Sequence, residues 1–466
     1  MQPHVSYFCT ESLEIIFVSS AKSFLRNMCR YNIFSILIFL LSLNYLTQVN
    51  SYVPSTPMFE ILNPKGIRIS IPDEPGLQFF AFQGNINKAI ELNEIGRISN
   101  EVYRKDNGKW TIQNQNINLM KGNVIHYWIY VQVKEVMYNK NGTWKVIVSQ
   151  LVFNETFDSF NKSIWKYEVK IPLNPDYEFC IYHNEQQPTV SVKNGILKIK
   201  PMILEKDYGE DITAYGTLIL SECTSKISAE CLRKATSFNI LPPIVSTRLI
   251  TSSFHFRYGK IEIRAKFPEG DWLYPEMWLK PKYGYYGSDY SSGCVILGLA
   301  RGNDNLINAT NGSIYDSRRL DFGIRVGKDT NDTNVTNYMV SQIRENGLSW
   351  TKDFHTYTTI WDLDGFQFFV DDKEVDKLKP PTDGWIYGSY FNKMAPFDQE
   401  FRIVIGVGVG GIRVFPDKTT SSEHAKPWKN VGAKAMLNFW HAKDLWLPSW
   451  KKNTALEIDY IRVWSF

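Results

Sequence analysis

The chain has 466 residues, enough for two or three domains and a large buried core. Its 52 Lys and Arg stand against 48 Asp and Glu, a formal net charge of +4 that excludes a polyanion such as nucleic acid as principal partner and points to a nearly neutral ligand. Aromatic residues make up 14% of the chain, a share that suits the core of an all-β protein and equally suits stacking on sugar rings.

At the N-terminus, the apolar run Ile33–Leu46 follows Arg26 and Arg30 and precedes Val49-Asn50-Ser51, whose small side chains flank a cut after Ser51. Residues 1–51 therefore read as a signal peptide, with Met28 an alternative start that gives a leader of ordinary length. The run is too short for a membrane span, which needs about 20 apolar residues, and no later stretch is long enough. Export predicts surface glycans and oxidised cysteines. Asn-X-Ser/Thr acceptors stand at Asn141, Asn154, Asn161, Asn308, Asn311, Asn331 and Asn334, each expected on an exposed loop. Cys9 and Cys29 leave with the leader. Cys223 and Cys231 bracket a polar loop of the kind a disulfide closes, while Cys180 and Cys294, among apolar neighbours, are either paired or free and buried.

Residues 52–150 alternate short apolar runs with turn residues: strands are predicted at Phe59–Ile61, Ile67–Ile71, Leu77–Phe82, Lys109–Ile112 and Ile125–Val133, and a closing hairpin around Asn141-Gly142. A small immunoglobulin-like β-sandwich is the expected result. Through Asn63-Pro64-Lys65-Gly66-Ile67-Arg68-Ile69-Ser70-Ile71-Pro72-Asp73-Glu74, Phe80-Ala81-Phe82-Gln83-Gly84-Asn85-Ile86-Asn87, Asn107-Gly108-Lys109-Trp110 and Tyr127-Trp128-Ile129-Tyr130-Val131, this segment resembles the N-terminal domain of the insect β-1,3-glucan recognition proteins, also called Gram-negative bacteria-binding proteins. The resemblance implies a glucan-binding face built on an exposed ring at Trp110, with Asp73, Arg68 and Gln83 beside it; the family usually carries His where Gln83 stands. No Pro/Ser/Gly-rich linker follows, so a short joint is expected.

Residues 151–466 continue the alternation at Lys260–Phe267, Thr358–Asp362, Phe366–Val370, Phe401–Val409 and Leu456–Trp464, without long helical periodicity. Two antiparallel sheets packed as a large β-jelly-roll are expected, making the whole chain all-β. Within it, Ser292–Asn303 reads SGCVILGLARGN: polar at its ends and apolar at its centre. On a strand Cys294 and Ile296 share a face, and one extra residue in a bulge brings Leu299 onto it.

This stretch resembles the active-site strand of the laminarinase-like glycoside hydrolases of family 16, S-G-E-I-D-I-M-E-S-R-G-N, with Cys294, Ile296 and Leu299 at the three carboxylate positions. Retaining hydrolysis needs two carboxyl groups about 5 Å apart, so the resemblance implies a catalytically inactive relative. Trp272, Trp278, Arg301 and Trp361 are candidates for holding sugar in the cleft. The neighbouring acids Glu276, Asp289 and Asp304 are the candidates for relocated carboxylates. His355 has no nucleophile partner and reads as structural, and Gly406–Gly411 reads as a crowded glycine-rich strand, not a phosphate loop. No cofactor is expected; relatives of the fold often hold a structural calcium, for which Asp459 is available.

The combined expectation is a secreted pattern-recognition protein of innate immunity that binds microbial β-1,3-glucan or a related cell-wall polysaccharide. The resemblance also implies serine proteases of an immune cascade as partners. Two alternatives stand beside it: a β-glucanase with relocated carboxylates, and an adaptor that binds proteins only.

Overall fold

A computed structural model describes residues 52–466 apart from 63–64, 121, 147–148, 174, 184–188, 328–334, 345–346, 387, 390–391, 423 and 451–452. The leader expected at residues 1–51 and the acceptors Asn331 and Asn334 lie outside the described residues. Ser55–Phe466 forms one compact unit. Among the described residues, no helix is long and apolar enough to cross a membrane.

The first seven strands build a small sandwich. Met58–Ile61, Ile67–Pro72 and Lys109–Asn114 form one sheet, and Ile98–Val102, Leu77–Ile86, Val124–Val133 and Val136–Lys145 the other, all antiparallel. Period-two alternation turns Ile67, Ile69 and Ile71 inward, against Phe80, Phe82, Ile129 and Val131 of the facing sheet, and all seven are buried. The hairpin expected at Asn141-Gly142 is not there. Val136–Lys145 runs through that dipeptide as one strand, and the turn falls at Lys134 and Glu135, both in the left-handed region at φ 48° and 66°. Neither residue type advertises that conformation, which Gly or Asn normally supplies.

From Gln150 onward, small two- and three-stranded sheets aside, the strands belong to two larger sheets. One runs Val190–Lys193, Ile196–Ile199, Leu456–Ser465, Gly259–Lys266, His355–Asp362, Gly365–Val370, Lys373–Leu378, with Gln150–Glu155 paired to Leu456–Ser465, so the first and last strands are neighbours. The other runs Val335–Ile343, Arg319–Gly327, Cys294–Leu299, Leu273–Pro281, Phe401–Val409, Arg248–Thr251, Trp165–Glu168. Ile261, Ile263, Tyr357 and Phe368 from the first sheet and Met277, Leu279, Val295 and Ile405 from the second share one buried core. The small sandwich touches the large one through an ion pair between Lys109 and Asp372.

Cys223 and Cys231 are bonded, with Cα atoms 5.5 Å apart, and Cys180 and Cys294 are both free and buried. Asn161 and Asn311 are exposed in turns. Asn141 and Asn154 are exposed on strands, not on the loops expected for them, and Asn308 is half-buried at a strand end. His355 is buried, its Nδ1 2.6 Å from Asp371, in the sheet away from the cleft, as a structural histidine should be. Gly408 is required for space: a Cβ there would lie 2.2 Å from the Tyr274 ring. Asp459 is ion-paired with Arg264, and among the described residues no cluster of three or more His, Cys, Asp or Glu side chains is placed to hold a metal.

Candidate functional site

Every residue of Cys294–Leu299 is buried, and the strand alternates between two environments. Val295 pairs with Leu279 and Ile324 on the core side. Cys294 lies opposite Arg325, and Ile296 opposite Gly323 and Trp278, on the cleft side. The register then shifts between Ile296 and Leu299, at Gly298 with φ 153°, so that Leu299 comes opposite Asp321. The bulge thus places Cys294, Ile296 and Leu299 along the same small recess.

That recess has a volume of about 40 Å³. Pockets that hold small ligands run to about 300–1,000 Å³, so it takes a water or two and not a sugar ring. Charged side chains fill the rest of it. Arg248 donates from Nη2 to Glu178 and to Glu276 at 2.5 Å each, from Nη1 to Glu168 at 2.9 Å, and from Nε to Glu276. Its guanidinium lies 4.0 Å over the Tyr182 ring, whose hydroxyl donates to Glu276 at 2.8 Å.

A second cluster sits beside it. The Tyr290 hydroxyl donates to Asp176 at 2.5 Å and accepts from Arg325 at 3.0 Å, while Arg325 and Arg413 approach the Asp176 carboxylate at 3.5 and 3.3 Å.

Burial sets the chemistry here. It pushes the Cys294 thiol up to about 12, so this side chain carries no thiolate near neutral pH. Burial also pushes Glu178 up to about 7, with Asp176 and Glu276 adding to the rise against Arg248. Glu168 is buried as deeply, yet Lys280 and Arg248 outweigh the desolvation and hold it well below the usual carboxylate range.

The cleft candidates fare unequally. Trp278 is half-buried on the cleft face, with Arg248 5.5 Å from its ring. Trp272 is 2% exposed and wedged edge-on against Phe415 and Trp428, and Trp361 is 1% exposed in the opposite sheet with its indole bonded to the Phe397 carbonyl. Arg301 is buried and spends its guanidinium on the Val414 carbonyl and on Asp321. These three are framework side chains: Trp272 and Arg301 stand close to the motif in sequence and Trp361 was expected in the cleft as an aromatic of the same domain, but packing turns all three away from it. Asp176, Glu178, Arg248, Arg325 and Arg413 were not singled out by sequence, because segments far apart in the chain bring them together.

The comparisons with known proteins fit this architecture. Residues 52–164 match the CBM39 model, described as "Carbohydrate binding domain (family 32)", and residues 316–460 match "Glycosyl hydrolases family 16". The chain is 35% identical over 460 residues to a beta-1,3-glucan-binding protein of Hyphantria cunea, covering 87% of this chain and 94% of that protein. It is 31% identical to the beta-1,3-glucan-binding protein of Tenebrio molitor, with the same coverage, and 32% identical to Gram-negative bacteria-binding protein 1 of Drosophila melanogaster, with 89% and 96% covered. The chain belongs to the β-1,3-glucan-binding protein family. These relatives are named as binding proteins and not as hydrolases, although the family-16 fold is present.

The small sandwich of this family member departs from the expected binding face. Trp110 pairs with Ile71 and shares the inward face with Ile112; its ring is only 4% exposed. It is a core residue with a polar handle, since its indole donates to Asp73 at 2.9 Å. Lys105 reaches the same carboxylate at 2.7 Å, and the hydrogen bonds from Lys105 and Trp110 hold Asp73 below its ordinary value. Arg68 is on the solvent face of the same sheet, paired with Glu60 at 2.5 Å. Gln83 is on the other sheet and accepts from the Gly96 amide at 3.0 Å. The structure therefore joins Asp73 with Trp110 and leaves Arg68 and Gln83 apart from them.

Proposed function

We propose that this chain is a secreted recognition protein of innate immunity that binds microbial β-1,3-glucan and does not hydrolyse it. One observation carries the second half: at the three carboxylate positions stand a thiol that burial keeps protonated, an isoleucine and a leucine, around a recess too small for a sugar ring. The acids that do line the recess, Asp176, Glu178 and Glu276, are each engaged by an arginine or a tyrosine, which leaves no carboxylate free to attack a sugar as nucleophile. The same geometry opposes relocated carboxylates: Glu276 is locked to Arg248, and Asp289 and Asp304 lie outside the recess. The family's glucan-binding relatives and the carbohydrate-binding match at residues 52–164 support the first half. The bonded Cys223–Cys231 pair and the exposed acceptors Asn141, Asn154, Asn161 and Asn311 support export, and immune serine proteases remain the proposed downstream partners.

Two measurements test the reading. Recombinant protein from a glucanase-free host is expected to release no reducing sugar from laminarin, and measurable turnover would overturn the non-hydrolytic half. The same protein is expected to sediment with curdlan. The burial of Trp110 favours one rival, an adaptor that binds proteins only, and failure to sediment would put that rival first.

A further inference from the structure

Residues 282–293, which join Leu273–Pro281 to the cleft strand, raise three tyrosines into solvent: Tyr283, Tyr285 and Tyr286 are 49%, 71% and 37% exposed. The rings of Tyr283 and Tyr285 lie 5.4 Å apart. This loop is held in place. The Gly287 amide donates to the Gly284 carbonyl at 3.1 Å, the Tyr286 amide to Ser292 Oγ at 3.1 Å, and Ser292 Oγ to the Gly287 carbonyl at 2.8 Å. A second segment, 398–400, locks onto it: Tyr286 donates its hydroxyl to Asp398 at 2.7 Å, Gln399 Nε2 donates to the Ser292 carbonyl at 3.3 Å, and Lys282 Nζ donates to Glu400 at 2.9 Å.

Between them lies an open recess of about 570 Å³, lined by Arg257, Tyr285, Tyr286, Asp398, Gln399 and Glu400. It is more than ten times roomier than the recess beside Cys294, and within the range of pockets that hold small ligands, about 300–1,000 Å³. The buried Oε1 of Gln399 has no hydrogen-bond partner among the described residues. An exposed ring beside a guanidinium, two carboxylates and an amide matches a pyranose, which offers an apolar C–H face to the ring and hydroxyls to the polar groups. The charges nearly cancel, with Arg257 and Lys282 against Asp398 and Glu400, so the wall selects no anion.

We propose that the recess framed by Tyr285, Arg257 and Asp398–Glu400 is an accessory subsite for neutral β-1,3-glucan, with Tyr285 as its stacking ring and Tyr283, 5.4 Å from it, extending the aromatic surface at the rim. The choice of glucan rests on the reading given under Proposed function. A concave, polar floor favours a saccharide over a protein partner, for which the exposed tyrosines alone would also suit.

The test uses the full-length chain, laminarihexaose, and tetranitromethane nitration read by peptide mass spectrometry. Laminarihexaose is expected to protect Tyr285 and Tyr283, while Tyr215, 79% exposed at the end of the short helix Ile212–Tyr215, is nitrated equally with and without it. Arg257→Ala removes an exposed side chain and is expected to shift the protection curve to about tenfold higher ligand. If the chain binds laminarihexaose and Tyr285 nitrates at the same rate, or if Arg257→Ala leaves the curve in place, the subsite assignment fails alone. If the chain binds neither laminarihexaose nor curdlan, the glucan reading fails and the subsite with it. Protection that only an added protein confers would overturn the subsite in favour of a docking face.

Discussion

Arg248→Met is expected to cost about 3–5 kcal/mol of stability, because one guanidinium serves three acids and its removal strands two of them, the buried Glu178 and Glu276, while Glu168 keeps Lys280. Glu168, Glu178 and Glu276 all bond to it. For a domain of this size, a loss on that scale lowers the melting temperature by on the order of ten degrees. The pH dependence identifies the cause. In the wild type, Glu178 has a folded value near 7, above its unfolded one, so its contribution is full below about 4.5 and is lost as pH rises through 7. Glu168 has the opposite sign: its depressed value stabilises above 4.5, and that contribution is lost as pH falls. Without Arg248, Glu178 loses the cation that opposes its desolvation and takes up a proton on folding more readily still, while Glu168 keeps Lys280 at 2.9 Å. The deficit of the variant should then be smallest near pH 4.5 and widen towards pH 7.5. Thermal melts of both proteins at the two pH values decide this, and a gap that does not change with pH would show that lost packing, not stranded charge, is responsible.

Trp110→Ala is expected to unfold or loosen the small sandwich and not merely to blunt a binding face. Truncating a buried Trp costs about 3–5 kcal/mol, and here it also removes a donor from Asp73. Trp110→Phe keeps most of the ring and loses only that hydrogen bond, at a cost nearer 1–2 kcal/mol. Loss of curdlan binding by Trp110→Ala should therefore track its loss of protease resistance, while Trp110→Phe keeps both. If Trp110→Ala melts like the wild type and still binds glucan less well, the ring is a contact residue and its burial against Ile71 and Ile112 has been misjudged.

These expectations show where the sequence was informative. Alternation marked strands at Ile67–Ile71, Lys260–Phe267 and Leu456–Trp464, and the structure has them at Ile67–Pro72, Gly259–Lys266 and Leu456–Ser465, because half-buried strands repeat with period two. Strand geometry also called for one extra residue to bring Leu299 to the side of Cys294, and the register shift falls at Gly298. Which face a given aromatic takes was harder to read. Trp110 follows a turn and Trp272 precedes the motif, and both positions are compatible with exposure until the partner sheet is known. The charge clusters were illegible for a different reason: Asp176, Arg325 and Arg413 come from three distant segments, and nothing local to any of them announces the other two. The tyrosine loop did have a local signal. Tyr283-Gly284-Tyr285-Tyr286 sets three rings in a glycine-rich turn, where burial is least expected.

The crowded recess beside Cys294 bears on which changes such a chain can accept. Acids at Cys294, Ile296 and Leu299 would each face a recess with only about 40 Å³ free, already lined by Asp176, Glu178 and Glu276. Leu299 faces Asp321, so an acid there meets like charge at once, and the arginines able to neutralise newcomers are already committed. An acid at any of these three positions is therefore expected to cost stability, so the recess works as a ratchet: while its arginines stay committed, changes that refine recognition elsewhere come at less cost than changes that would build a hydrolytic centre here.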